Sequence, residues 1–166
     1  MTTQQLTDPA LGLASFQQAI TNGEISPVPC KLDPELYVLL DQPAEDPRFT
    51  YARIEEDGTV TAIAILVVDK PMRGLPCFQL GYAVHEQFRN QGRAKAVVTA
   101  ALAELQHGFA NANVHSFFVE AVVGANNPAS QAVAAATISN RPEAGIDQFA
   151  EVPVLQYVRK FEHSGG

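Results

Sequence analysis

The chain has 166 residues, 46% hydrophobic and 17% charged, which fits one soluble domain with its own core and excludes a disordered chain. Its net charge of −7 argues against a general nucleic-acid binder. No apolar run is long enough to span a bilayer, and the N-terminus MTTQQLTDPA lacks the basic and apolar parts of a signal peptide. We therefore expect a cytoplasmic protein, a monomer or homodimer, that contacts neither membrane nor nucleic acid.

The cysteine pattern points away from metal and redox chemistry. Cys30 and Cys77 show no metal-type spacing and form no evident disulfide framework. We expect no metal, and two reduced thiols that act as small buried hydrophobes.

The N-terminal part predicts a helix, an irregular connection and a strand. The pair Asp8-Pro9 combines a capping side chain with a proline at the first helical position, which predicts a helix over residues 9–22. Residues 26–35 contain three prolines and predict an irregular connection. The apolar run 36–40 predicts a strand, although Asp33-Pro34 just before it is also compatible with a helix start.

A hairpin follows. Residues 48–55 and 59–68 read as two strands that are joined at Glu56-Asp57-Gly58. The second run, TVTAIAILVV, becomes continuously apolar, which is typical of a central strand covered on both faces. Residues 70–76 contain two prolines and a glycine, and predict a loop.

The stretch 78–107 has a pattern that suits anion binding. An apolar strand at 78–84 leads through the polar loop 85–91 into a long helix that begins at Gly92. The first turn of a helix has unpaired N–H groups and positive character, and a glycine lets an anion approach the backbone. A Rossmann fingerprint needs three glycines where this loop has one, and no Gly-Lys-Ser/Thr follows for a P-loop. A plain helix start with solvated arginines is the alternative interpretation.

The last third repeats the strand–loop–helix order. A strand is predicted at 116–123 and a helix from Asn127-Pro128 to about residue 138. The segment 139–148 is polar, and the final run 152–161 predicts a strand. The order of elements predicts one α/β domain over residues 1–166 with a mixed sheet.

The loop after the strand 78–84 resembles the acetyl-CoA signature of the GNAT N-acetyltransferase superfamily. That signature has Arg or Gln, two residues, Gly, one residue, and Gly or Ala; here it reads Arg89-Asn90-Gln91-Gly92-Arg93-Ala94. A second block, Val119 to Val122 and then Asn127-Pro128-Ala129-Ser130, resembles a strand and helix start found downstream in many members. The resemblance covers residues 48–138 and implies a GNAT-like fold, in which helices flank a sheet whose middle strands splay apart.

The resemblance also implies acetyl-CoA, or another acyl-CoA, as cosubstrate. Backbone N–H groups from Gln91 to Lys95 would hold its pyrophosphate, and backbone groups of Ala83 and Val84 would pair with its pantetheine arm. Asn127 would lie near the amide of the arm or the thioester. The residues that the resemblance assigns to this ligand are Ala83, Val84, Arg89, Asn90, Gln91, Gly92, Arg93, Ala94, Lys95, Asn127 and Ser130.

The implied reaction is transfer of an acetyl group to a primary amine of a small molecule, protein or peptide, with a strand N–H such as that of Val84 at the carbonyl oxygen. The chain departs from the family pattern where catalytic groups are common. Gln79 stands where one branch has glutamate, Ala134 where many members have tyrosine, and Ile138-Ser139 where Gly-Phe is common.

Four residues remain as candidate acids or bases. His85 and Glu86 lie at the mouth of the loop, while Glu120 and Tyr157 lie on predicted strands and are the two that we assign as catalytic. A non-catalytic acyl-CoA-binding module or sensor, or an accessory domain that makes only protein contacts, would also fit the absent residues.

Overall fold

The structure is a computed structural model and describes residues 8–42, 46–147 and 151–162. None of the described helices combines the length and apolar character needed to cross a bilayer. The described helices are α1 (Pro9–Thr21), α2 (Arg93–Asn111) and α3 (Pro128–Thr137). The described strands are β1 (Val28–Pro29), β2 (Leu36–Asp41), β3 (Arg48–Ile54), β4 (Val60–Met72), β5 (Leu75–Val84), β6 (Ser116–Gly124), β7 (Glu143–Ile146) and β8 (Pro153–Glu162).

The described strands form one mixed sheet in the order β1-β2-β3-β4-β5-β6-β8-β7. Neighbouring strands are antiparallel except β5 and β6, which are parallel because α2 crosses over between them. Within the described ranges this is the α/β mixed sheet that the sequence predicts; a single domain over all of 1–166 stays a prediction.

The sheet is covered on both faces at β4, as its apolar run predicts. Ile63 packs with α1 in a cluster that includes Leu13 and Phe16. Leu66, on the other face, belongs to the larger core with Val98 of α2. Helices α2 and α3 therefore cover one face of the sheet and α1 the other.

The parallel strands β5 and β6 separate after three residue pairs. The pairing ends at Gln79 opposite Glu120, although β5 continues to Val84 and β6 to Gly124. Beyond this pair, β5 has a paired strand on the β4 side alone. This is the splay that the family resemblance implies, and it opens a slot in the middle of the sheet.

The prediction of a loop at 70–76 is wrong. Strand β4 runs to Met72 and β5 begins at Leu75, so the connection is a tight hairpin at Arg73-Gly74. Both turn residues have positive φ, 50° and 81°, as two-residue hairpins of type I′ require. Pro71 is accommodated because the β4–β5 register shifts between Asp69 and Met72, where no regular ladder bond is needed.

Other boundaries differ in smaller ways. Residues 143–146, within the segment expected to be irregular, form the exposed strand β7; residue 148 lies outside the described residues. Strand β1 is similarly short within 26–35, and no helix starts at Asp33-Pro34. Both short strands pair with one neighbour each, so edge pairing rather than apolar pattern forms them.

The cysteines agree with the prediction of small buried hydrophobes. Cys30 and Cys77 are free and buried. Burial raises the pKa of each thiol to about 12, so neither is a thiolate nucleophile near neutral pH.

Candidate active site

A cleft of about 650 Å³ occupies the slot between β5 and β6. Its walls come from β5, the start of α2, the end of β6 and the first turns of α3 and α1. Lining residues assigned from the sequence are Ala83, Val84, Arg89, Asn90, Gly92, Arg93, Ala94, Lys95, Asn127 and Ser130. Gln91, Glu120 and Tyr157 do not line it.

The start of α2 is open towards this cleft. Gly92 is the N-cap residue, with φ of 74° and no side-chain capping bond, and Asn90 also has positive φ, at 62°. A Cβ atom placed on Gly92 meets nothing within 4 Å. The first-turn N–H groups of α2 therefore have neither a capping side chain nor a neighbouring atom over Gly92, and an anion such as a phosphate fits there.

The three cations of this loop are not equivalent. The Arg93 guanidinium donates to the Glu55 carboxylate at 3.2 Å and the Thr61 hydroxyl at 3.1 Å, and lies 4.6 Å from the centroid of the Phe88 ring. It therefore ties the loop to the β3–β4 hairpin. The exposed Arg89 makes a long contact from Nε to the Val84 carbonyl, at 3.4 Å, and Lys95 follows on the first turn of α2.

The backbone of β5 alternates between two sides. His85 N–H donates to the Thr61 carbonyl at 2.8 Å, which fixes the phase of the antiparallel β4–β5 ladder. By that alternation Ala83, opposite Ile63, turns its N–H and C=O towards β4, whereas Tyr82 and Val84 turn theirs towards the slot. The sequence assigned Ala83 and Val84 to the same role; in this register the backbone groups that face the slot are those of Tyr82 and Val84.

A pair of hydroxyls joins β5 to α3 across the slot. The Tyr82 hydroxyl donates to the Ser130 carbonyl at 2.7 Å, and the Ser130 hydroxyl donates to the Tyr82 oxygen at 2.9 Å. Burial raises the pKa of Tyr82, the bond from Ser130 lowers it, and the nearby Tyr157 raises it. Asn127 is the N-cap of α3, as predicted, and its side-chain oxygen accepts from Ser130 N–H at 3.1 Å.

Sequence reasoning did not single out Tyr82. The available signal was the period of two in β5, which places Tyr82 on the same side as Leu80 and Val84, facing the core under α2 and α3. The contact to Ser130 links residues 48 positions apart, and no local pattern predicts it.

Glu120 lies at the inner end of the slot in a network of amides. One carboxylate oxygen accepts from Gln79 Nε2 at 2.6 Å and the other from Gln156 Nε2 at 2.7 Å. The same Gln79 nitrogen donates to Asp69 at 2.7 Å. Tyr157 is buried on β8, opposite Ala121. Gln156 and Asp69 were not expected from the sequence, because their approach depends on strand register.

His85 and Glu86 have local roles. The His85 Nδ1 accepts from Gln87 N–H at 3.1 Å and so caps a single 3-10 turn, Glu86–Phe88. The His85 ring packs edge-on against Phe88, with 5.5 Å between centroids. Neither candidate lines the cleft.

The other mouth of the cleft is formed by α1. Asp8, Pro9 and Ala10 line it, and a Cβ on Gly81 of β5 would lie 2.9 Å from Pro9 Cγ. Only glycine therefore allows α1 to begin so close to β5. The first turn of α1 faces the end of β6 at Val122, whose side chain is exposed.

Comparisons with known proteins identify the family and the fold. The chain matches the acetyltransferase (GNAT) family over residues 17–136. No curated protein matches it in sequence.

Several solved structures share the fold. A point variant of spermidine N-acetyltransferase from Vibrio cholerae has 11% identity and a TM-score of 0.53, over 96% of this chain and 94% of that one. A GNAT-family acetyltransferase from Streptococcus pneumoniae has 14% identity and a TM-score of 0.53, over 95% and 97%. A chimera of the Vibrio cholerae enzyme and hSSAT has 13% identity and a TM-score of 0.50, and the match covers 69% of this chain and 66% of the chimera, just under two thirds of its length. At these identities the likeness concerns the fold alone. Because the family match spans more than half of the sequence, the chain belongs to the acetyltransferase (GNAT) family.

Proposed function

We propose that this chain is an acyl-CoA-dependent N-acetyltransferase, which moves the acetyl group of acetyl-CoA to a primary amine of a small molecule or of a protein or peptide. The observation that carries the proposal is the uncapped start of α2, which opens at Gly92 into the slot between β5 and β6. A helix N-terminus suits the pyrophosphate, and a slot between two strands suits the extended arm.

The ligand would be held mainly by backbone groups. First-turn N–H groups of α2 bind the pyrophosphate, with Arg89 and Lys95 adding positive charge. The slot-facing groups of Tyr82 and the carbonyl of Val84 pair with the pantetheine arm as an added strand does. Asn127 and Ser130 lie across the slot. The loop residues assigned to the pyrophosphate are Arg89, Asn90, Gln91, Gly92, Arg93, Ala94 and Lys95.

Transfer requires a free amine, a polarised carbonyl and a protonated leaving group. Bound acetyl-CoA supplies the thioester that the amine attacks. The Val84 N–H is proposed to donate to the carbonyl oxygen as negative charge develops there. Holding both reactants in one slot lowers the entropic part of the barrier.

Glu120 and Tyr157 stay predictions as catalytic groups. Both Glu120 oxygens already accept from amides, so it would take the proton of the amine through a water rather than directly. If Glu120 is the base, Glu120→Gln lowers kcat by about 100-fold or more while acetyl-CoA binds as before. An unchanged kcat with a lower Tm would instead assign Glu120 to the strand junction alone.

The acceptor is defined here only as an amine. The net charge of −7 and Asp8 at the cleft mouth favour a cationic acceptor. The similar structures include spermidine acetyltransferases, so a panel of acceptors should contain a polyamine as well as peptides with free N-termini. A cytoplasmic monomer or homodimer that uses neither metal nor nucleic acid is part of the proposal.

Two measurements test it. Acetyl-CoA at 100 times its Kd stabilises the native state by about 2.7 kcal/mol, which raises Tm by about 5–10 °C for a chain of this size. Thiol release is then followed with the amine panel. No thermal shift at saturating acetyl-CoA would contradict the proposal as a whole.

A non-catalytic acyl-CoA sensor is the second candidate. It is favoured by the hydrogen bonds that occupy both Glu120 oxygens and by Gln79 at the neighbouring position. A thermal shift without thiol release for any amine of the panel would support the sensor over the enzyme.

A further inference from the structure

The cleft contains two hydroxyl groups, and they are hydrogen-bonded to each other. Among the described residues that line it, Tyr82 and Ser130 carry an O–H group. Each donates once within the pair, Tyr82 to the Ser130 carbonyl and Ser130 to the Tyr82 oxygen. The two hydroxyls lie on opposite walls of the cleft and contact each other. In such a pair one hydroxyl can donate a proton while the other hydrogen-bonds to its oxygen.

We propose, on the basis of the acetyl transfer proposed above, that Tyr82 is the acid that protonates the leaving thiol of coenzyme A and that Ser130 positions it. The Tyr82 O–H can rotate from the Ser130 carbonyl into the slot, while the Ser130 hydroxyl keeps donating to the phenol oxygen. The hydrogen bond from Ser130 therefore keeps the phenol oxygen in place, while the O–H bond of Tyr82 can rotate towards the slot.

The step balances in atoms and charge. The amine nitrogen forms a bond to the carbonyl carbon, and the C–S bond breaks with its electron pair moving to sulfur. The Tyr82 O–H proton moves to that sulfur, and the amine gives up one proton to water or to a base. Tyr82 recovers a proton from solvent, so the products are the amide and the thiol. Both acids are protonated near neutral pH, with ordinary pKa values of about 8.5 for a thiol and about 10 for a phenol.

Other side chains of the cleft are less suited to this role. Asp8 is a carboxylate that carries no proton at neutral pH, and Arg93 is bound to Glu55 and Thr61. Tyr157 does not line the cleft. Burial keeps Tyr82 protonated, whereas the bond from Ser130 stabilises its phenolate and so eases loss of the proton.

The first test is kinetic. Tyr82→Phe is expected to lower kcat by about 100-fold with little change in the Kd of acetyl-CoA, since general acids contribute about 100- to 10,000-fold. Ser130→Ala is expected to have a smaller effect on kcat. The matched control is Tyr51→Phe, because Tyr51 is buried in the same core but does not line the cleft. A full loss in Ser130→Ala with none in Tyr82→Phe would make Ser130 the acid and overturn the proposal.

The second test needs no turnover. A phenol that donates to the sulfur lowers the pKa of the thiol of bound coenzyme A, which is measured by the ultraviolet absorbance of the thiolate against pH. Tyr82→Phe is expected to raise that pKa, and Tyr51→Phe to leave it unchanged. The same pKa in wild type and Tyr82→Phe would overturn the inference and leave the proposed function standing. A protein that binds no coenzyme A would overturn both.

Discussion

Gly92 is the residue on which the proposed pyrophosphate site depends most directly. Its φ of 74° lies where side chains other than glycine are strained, and the space beside it is open. A substitution at Gly92 therefore has two effects, backbone strain and a side chain in the proposed phosphate site, and a second glycine with the same φ can separate them.

Gly92→Glu is expected to weaken acetyl-CoA binding by about 100-fold, or about 2.7 kcal/mol, because a carboxylate would occupy the space meant for phosphate. Gly74→Glu is a matched control: Gly74 has φ of 81° and the same open surroundings, but lies in the β4–β5 turn. Calorimetric titration measures both. If the two variants bound acetyl-CoA equally well, the loop at Gly92 would not be the pyrophosphate site.

Glu104 is a buried residue with a purely structural role. Its oxygens accept from Leu32 N–H at 3.0 Å and from Asp33 N–H at 2.7 Å, which fastens the segment before β2 to α2. Glu104 is only 7% exposed, and its loss would remove the protein acceptor of two backbone N–H groups.

Glu104→Ala is expected to lower the free energy of unfolding by about 2–3 kcal/mol, since hydrogen bonds to charged groups are worth more than neutral ones. Urea denaturation measures this. The control is Glu35→Ala, an exposed glutamate in the same region, with an expected change within about 0.5 kcal/mol. Equal stability of the two variants would show that the Glu104 bonds contribute nothing.

At the scale of elements, the segment before β2 also carries an ion pair to β3. Arg53 donates to the Asp33 carboxylate at 2.9 Å and holds the pKa of that carboxyl below its ordinary value. Because the folded-state pKa is the lower one, the pair contributes fully above the unfolded value of about 3.9. Its contribution is lost as pH falls through the folded-state pKa.

We therefore expect the stability difference between wild type and Asp33→Asn to be largest near neutral pH and to shrink in acid. Urea midpoints from pH 7 down to about pH 3 measure it. A difference that stays constant over this range would show that Asp33 titrates alike in the folded and unfolded chain.

The splay between β5 and β6 gives a prediction about individual amides. The Tyr82 and Val84 N–H groups face the slot, whereas that of Ala83 faces β4. Hydrogen exchange followed by NMR should show slower exchange at Tyr82 and Val84 when acetyl-CoA is added. Ala83 serves as the internal control, since its amide is bonded in both states. If the ligand protected the Ala83 amide and not the Val84 amide, the assignment of slot-facing groups on which the proposal depends would be wrong.

At the scale of the whole molecule, the features that were predicted from the sequence are those that depend on residues close together in the chain, such as the helix starts. The Asp8-Pro9 and Asn127-Pro128 pairs begin α1 and α3, and Gly92 precedes α2. These features depend on residues within one helical turn. The hairpin at Arg73-Gly74 is also local, but it was missed because the prolines on both sides of it favour a loop over a strand.

Contacts between residues far apart in the chain could not be predicted from the sequence. Glu104 reaches Leu32 across 72 positions, and Gln79 reaches Glu120 across 41. Such contacts follow from strand register and helix placement, which a period of two or 3.6 leaves undetermined. The position of the loop that lines the cleft at the start of α2 could therefore be predicted, whereas the hydroxyl pair and the amide network could not.

The last parallel pair, Gln79 opposite Glu120, closes the inner end of the slot, and Leu80 and Val122 are the cleft residues next to it. At about 3.3 Å per residue, the slot from Val84 to Leu80 is about 13 Å long. With the pyrophosphate fixed at Gly92, the one part of an acyl donor that varies in length is the acyl chain. On the proposed function, each added methylene group of the acyl chain advances towards the Gln79–Glu120 pair, whose amide–carboxylate hydrogen bond would then have to break. We therefore predict that the closed end of the slot, at Leu80 and Val122, limits the length of the acyl group.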